Sequence, residues 1–231
     1  EFKDLGLAVI DEEQSFGVDQ KEKLKLISPE INILTLTATP IPRTLQMAFS
    51  GIRDLSLINT PPKNRTPIET TLMEFDNGSL RSAILREVYR GGQVFFVVPR
   101  IKDIGFVEEF LVKNLSEVKF KIASGKLSNN NLEKIITEFY DGTFDLLVST
   151  NIVGSGLDVP RANTIIIYKP DMFGLSQLYQ IRGRVGRSNR RAFAFLVTKK
   201  GKNLSEGASR RLKLLASLNS MVSGFSLSSQ D

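Results

Sequence analysis

Short apolar runs separated by polar, glycine- and proline-rich stretches recur along the chain, and their lengths separate strands from helices. Leu7-Ala8-Val9-Ile10 and Ile33-Leu34-Thr35-Leu36-Thr37 are too short for helices and predict two buried strands, with a charged helix near residues 20–27 between them. Pro40 and Pro42 break the chain; a short helix over 43–49, stopped by Ser50-Gly51, and a strand over 54–58 are expected next. Further strands are predicted near 68–75, 93–98, 119–122, 144–149, 164–167 and 192–197. Helices are predicted between them near 80–89, 107–115, 129–140 and 174–182, the third marked by the stripe Leu132, Ile135, Ile136 and Phe139. Strands alternating with helices of this length imply an α/β fold whose parallel sheet is covered on both faces.

The run from Asn59 to Pro67, Asn-Thr-Pro-Pro-Lys-Asn-Arg-Thr-Pro, is polar and proline-rich between two apolar-periodic regions, which marks a linker. The expected organisation is a first unit over 1–60, a linker over 61–67, a second unit over 68–200 and a tail over 201–231. The tail's helix, near 205–218, carries Leu212, Leu215 and Leu218 as its apolar positions.

Composition narrows the chemistry. A hydrophobic content of 41% over 231 residues supports a buried core. No run approaches the roughly 20 apolar residues of a membrane span, and Glu1-Phe2-Lys3-Asp4 lacks the basic and apolar regions of a signal peptide, so a soluble cytoplasmic protein is expected. With neither cysteine nor histidine, disulfides, thiolate metal sites and the commonest general base are excluded, leaving carboxylates, hydroxyls and arginines. The formal charge of +6 and a pI near 9.5 favour a polyanionic partner, though a solvated basic face would look the same.

Four stretches carry candidate chemistry. Asp11-Glu12-Glu13-Gln14 stands at the tip of the first strand, where one carboxylate can hold Mg²⁺ through water and the next can orient a hydrolytic water; an acidic turn is the plainer alternative. Thr37-Ala38-Thr39 ends the second strand, where small hydroxyl residues can sense those carboxylates. Arg184 and Arg187 lie three apart on a helix end or the loop after it and can face one anion, with Gly183 and Gly186 allowing close backbone approach. Between these, Ser149-Thr150-Asn151 and Gly154-Ser155-Gly156-Leu157-Asp158 form a loop whose amides and hydroxyls can line a phosphate backbone and whose Asp158 can accept from a ribose, unless it is simply a turn.

In this order the stretches resemble motifs II, III, V and VI of the superfamily 2 helicases, covering most of the chain. The closer pattern, Asp-Glu-Glu-Gln-x-Phe-Gly-Val with Thr-Ala-Thr-Pro-Ile-Pro-Arg-Thr and Gly-Arg-Val-Gly-Arg-Ser, is similar to the bacterial transcription-repair coupling factors. The related RecG branch-migration helicases share the last two runs, but typically read Asp-Glu-Gln-His in the first. The resemblance implies RecA-like parallel sheets of the P-loop NTPase helicase type: an incomplete first lobe, a complete second lobe and a short helical tail opening a translocation hairpin. It implies an ATP- and Mg²⁺-dependent translocase on double-stranded DNA that displaces stalled RNA polymerase. RNA polymerase and the repair protein UvrA would be met through domains outside this chain.

By the same resemblance, Asp11 would serve Mg²⁺ through water and Glu12 the attacking water, with Gln180, Arg184 and Arg187 on the γ-phosphate. Gly156 and Asp158 would hold the nucleotide, Thr150 and Ser155 the DNA backbone, and Thr37, Thr39 and Arg43 would couple hydrolysis to movement. Two turns depart from the family: Gly154-Ser155-Gly156 stands where Glu-Thr-Gly is common, and Ala123-Ser124-Gly125 where a histidine is. No glycine-rich loop ending in Gly-Lys-Ser/Thr exists in the 231 residues, so the chain by itself is expected not to hydrolyse ATP. An incomplete first sheet would leave an apolar edge, which is expected to pair with the second lobe or another copy. The rival readings are a RecG-like fork-remodelling helicase and a non-catalytic nucleic-acid-binding or partner-docking module.

Overall fold

The computed structural model describes residues 5–11, 31–36, 56, 58, 67–150 and 159–217. The chain divides into two compact units between Asn59 and Thr60. In the first, β1 (Leu7–Asp11) and β2 (Asn32–Leu36) pair in parallel with Leu7 opposite Asn32 and Asp11 opposite Leu36. Asn32 ties the pair's start, its backbone N–H donating to Gly6 O at 3.1 Å. Ile10 is buried, whereas Leu7 and Val9 are each more than half exposed. The helices expected over 20–27 and 43–49 lie outside the described residues. Of the strand expected over 54–58, Ser56 and Ile58 are described, and neither is in a strand.

The second unit is a six-stranded sheet in the order β3-β8-β7-β4-β6-β5, all neighbours parallel. Its elements are β3 (Ile68–Glu74), α1 (Asn77–Tyr89), β4 (Gln93–Val98), α2 (Ile104–Asn114), β5 (Phe120–Ala123), α3 (Asn129–Tyr140), β6 (Leu146–Thr150), β7 (Ala162–Tyr168), α4 (Leu175–Arg182), β8 (Ala192–Thr198) and α5 (Glu206–Ser217). Every residue of β4, β6 and β7 is buried, as near-continuous apolar runs require in a sheet covered on both faces. Phe96, Ile84, Leu111, Val148 and Ile166 are fully inaccessible and form the centre of the core.

Boundaries differ from the periodicity reading where polar residues set them. The first helix starts three residues before Leu80, because Asp76 caps it by accepting from Ser79 N at 2.8 Å. Backbone donation to that carboxylate holds the Asp76 pKa below its ordinary value. The helix expected from 107 starts at Ile104, continuing a 3₁₀ turn over Ile101–Asp103. Phe144 lies before β6 rather than in it, packed against Phe139 at 5.1 Å between ring centroids. Gln93 explains that loop's position: its Nε2 donates to Phe139 O at 2.7 Å and to Phe144 O at 2.9 Å.

Candidate functional site

The parallel sheet gives the second unit two chemically distinct edges. At the carboxyl ends, Thr150 closes β6 opposite Val98 of β4, and Ala123 of β5 stands opposite Ser149. Exposed Arg100 and Lys126 follow β4 and β5 at this edge, and Lys199 and Lys200 follow β8. Thr150 is 5% exposed, and its Oγ1 has no hydrogen-bond partner among the described residues. A buried hydroxyl without a partner is costly and is the kind of group that an incoming acceptor or donor satisfies.

The arginine loop occupies the opposite edge. Helix α4 follows β7, returns along the sheet and ends at Arg182, so Arg184 and Arg187 lie in the loop after it. Arg184 N donates to Ile181 O at 3.1 Å, and Arg187 Nε donates to Gly183 O at 3.3 Å. Gly186 takes φ of 75°, and a β-carbon there would stand 3.0 Å from Ile68 Cγ1 and 3.3 Å from Ala192 Cβ. Those contacts place the loop against the first residues of β3 and β8. Ser188 Oγ donates to Asn163 Oδ1 at 2.7 Å, adding the start of β7. Val185 is fully buried beneath the loop, Arg184 and Gln180 are partly exposed, and Arg187 is exposed. Seven-residue strands at about 3.3 Å per residue separate this edge from Thr150's by about 20 Å.

The structure thus brings Gln180, Arg184 and Arg187 onto one short stretch and sets Thr150 at the far edge. The chain leaves the carboxyl edge at Thr150 and rejoins the amino edge at buried Val159, just before β7. Ser155, Gly156 and Asp158 fall within that connection, outside the described residues. Asp11 is the exposed last residue of β1 in the first unit. Glu12, Thr37, Thr39 and Arg43 also lie outside the described residues.

Arg182, inside the motif yet not among the expected site residues, is structural. It is 4% exposed, stacks its guanidinium 5.1 Å from the Tyr179 ring centroid and donates through Nη1 to Leu215 O at 3.1 Å, tying α4 to α5. Burial pushes its pKa down, with Tyr179 acting in the opposite sense. Sequence reasoning also missed Glu87, which is 1% exposed on α1 and accepts from Arg90 and Thr164. Its signal was present: Leu80, Ala83 and Ile84 define a core-facing stripe whose next helical position is a carboxylate.

Residues 78–189 match the family described as Helicase conserved C-terminal domain. The chain is 48% identical over 230 residues to the transcription-repair-coupling factor of Rickettsia bellii and 47% identical over 230 residues to that of Bacillus subtilis. Each match covers 100% of this chain and 20% of the relative, so the chain spans about a fifth of their length. Among solved structures, RecG bound to a three-way DNA junction superposes with a TM-score of 0.76 at 37% identity, covering 100% of this chain and 30% of RecG. The fold is α/β with parallel sheets of the RecA-like helicase type, as the motif resemblance implied.

Proposed function

We propose that this helicase C-terminal domain, with the unit that precedes it, is part of an ATP-driven translocase on double-stranded DNA that acts in transcription-repair coupling. The observation that carries the reading is the division of the sheet between its two edges. The amino edge offers two guanidinium groups on a fixed loop, suited to the γ-phosphate of a nucleotide; the carboxyl edge offers Thr150 and exposed basic residues, suited to a phosphate backbone. In sequence, residues 151–158 join the end of β6 at one edge to Val159 at the other.

On this reading Gln180, Arg184 and Arg187 contact the γ-phosphate, and Gly156 and Asp158 hold the nucleotide. Thr150 and Ser155 touch the DNA backbone. Asp11 and Glu12 serve the metal and the hydrolytic water, while Thr37, Thr39 and Arg43 relay closure. Among the described residues no cluster of three acidic groups could hold a metal unaided. The exposed carboxylate of Asp11 suits Mg²⁺ that arrives with ATP and keeps most of its waters, supplying charge neutralisation at the phosphates. Displacement of stalled RNA polymerase and engagement of UvrA would use parts of the longer protein outside this chain. A second reading, fork remodelling, is favoured by the likeness to RecG on a three-way junction.

The test compares duplex-stimulated ATP turnover in the protein extended upstream through a phosphate loop, in the same protein with Arg187→Ala, and in the 231-residue chain. Turnover confined to the extended protein and cut by roughly 10³-fold or more by Arg187→Ala is expected. Undiminished turnover in the variant would refute the assignment. Release of RNA polymerase from a stalled duplex, against regression of a synthetic fork, separates the two cellular roles.

A further inference from the structure

Glu87 is held in a way that stability alone does not explain. It lies in the last turn of α1 at 1% exposure, where a carboxylate has lost its hydration and faces the negative end of the helix dipole. An apolar side chain in that stripe would serve the core at least as well. One of its oxygens, Oε1, has no hydrogen-bond partner among the described residues and lies against Gly92, where a β-carbon would stand 1.7 Å away.

The other oxygen is the node of a network that leads to the arginine loop. Glu87 Oε2 accepts from Thr164 Oγ1 of β7 and from Arg90 Nη2. The same Arg90 nitrogen donates to Arg191 O at 2.8 Å, and Arg90 O accepts from Arg190 Nη1 at 3.0 Å. Asn163, next to Thr164 on β7, accepts from Ser188 Oγ. Arg86 and Arg90 lie over the Phe193 ring at 4.0 and 5.3 Å from its centroid, filling the space beside these bonds. The segment 188–191 is therefore clamped to α1 and β7 immediately after Arg187. Without the carboxylate, the Arg90 fork loses the anchor that aims it at the Arg191 carbonyl.

We propose that Glu87 is a positioning residue for Arg187: acting through Arg90, it fixes the loop so that the guanidinium meets a γ-phosphate in one geometry. The inference rests on reading that loop as the γ-phosphate contact. Misplacement by about an ångström at such a group costs on the order of 10²-fold in rate, which sets the scale of the effect.

The experiment is a double-mutant cycle in the protein extended through its phosphate loop, measuring duplex-stimulated kcat and the KM for ATP. Glu87→Gln is expected to lower kcat roughly 10- to 100-fold with little change in KM, and to have no further effect once Arg187→Ala is present. An equal fall in both backgrounds, or an unaltered kcat, overturns the proposal. If Arg187→Ala alone leaves kcat intact, the γ-phosphate reading itself fails, and the positioning role with it. Arg90→Lys is the companion variant: it keeps a cation beside Glu87, but its chain ends one atom short of the Nη2 that bridges Glu87 Oε2 and Arg191 O. The same kcat-selective loss is expected there, and an unaltered kcat in Arg90→Lys overturns the proposal even if Glu87→Gln does not fold.

Discussion

One methyl group at Gly92 should destabilise the second unit severely, although Gly92 has no positive φ that would demand glycine. Its β-carbon would stand 1.7 Å from Glu87 Oε1, 2.6 Å from Cδ and 3.1 Å from Cγ. Restoring ordinary contact, about 3.5 Å between carbons, requires the carboxylate to move by about 1.5 Å or more. Thr164 and Arg90 then lose their acceptor in a site where Glu87 is 1% exposed. Breaking a buried charge pair costs about 3–5 kcal/mol, and replacing glycine in the unfolded chain returns about 0.4–1 kcal/mol. Because Arg90 is 27% exposed and can find water, the lower part of that range applies, giving a net loss of about 2–4 kcal/mol. Urea unfolding followed by far-UV circular dichroism should show the fall as a lower midpoint at an unchanged slope. In a Glu87→Ala background the obstacle is gone, and Gly92→Ala should then cost less than about 0.5 kcal/mol. A loss below about 1 kcal/mol in the parent, or the same loss in both backgrounds, would refute the reasoning.

Four other outcomes are expected. Phe96→Ala, removing a fully buried ring from the centre of the sheet, should cost about 3–5 kcal/mol in the same unfolding assay. Thr150→Val should leave stability unchanged or slightly raised, because the lost hydroxyl has no partner among the described residues, while weakening duplex affinity in a fluorescence-anisotropy titration of the extended protein. For Asp76, whose folded pKa lies below its ordinary 3.8, the capping contribution is fully present above the ordinary value and is lost as pH falls through the lower folded one. Asp76→Asn keeps the cap without titrating, so its stability should fall less steeply with acid, as read by unfolding at a series of pH values below about 4. The half-exposed Leu7, Val9 and Leu34 of the β1/β2 pair should drive self-association of the 231-residue chain, and light scattering that reports a monomer at all concentrations would refute this.

Much of the second unit was legible because its signals are local. The run Gln93–Val98, apolar from Val94 onward and bounded by Gly91-Gly92 and Pro99, needs no partner to read as a buried strand. The stripe on α3 needs none to read as a helix. The misreadings arose where a polar side chain sets a boundary: Asp76, a local cap on Ser79 that the apolar stripe does not show, starts α1 early, and Gln93 reaches across space to gather the backbone of Phe139 and Phe144 so that Phe144 became loop.

The chain's own order determined the alternation of elements, the α/β class and the residue types available for phosphate chemistry, since these follow from periodicity, turn residues and composition. Tertiary structure alone decided which strands are neighbours, setting Val98 of β4 beside Thr150 and the first residues of β3 and β8 against the arginine loop. Strand order and crossover direction are not written in any short window of sequence. It alone also gave Glu87 its role. A glutamate in a helix is ordinarily a solvated surface group, and only the packing of α1 against β7 and the 188–191 segment removes its water and leaves Arg90 and Thr164 as its partners.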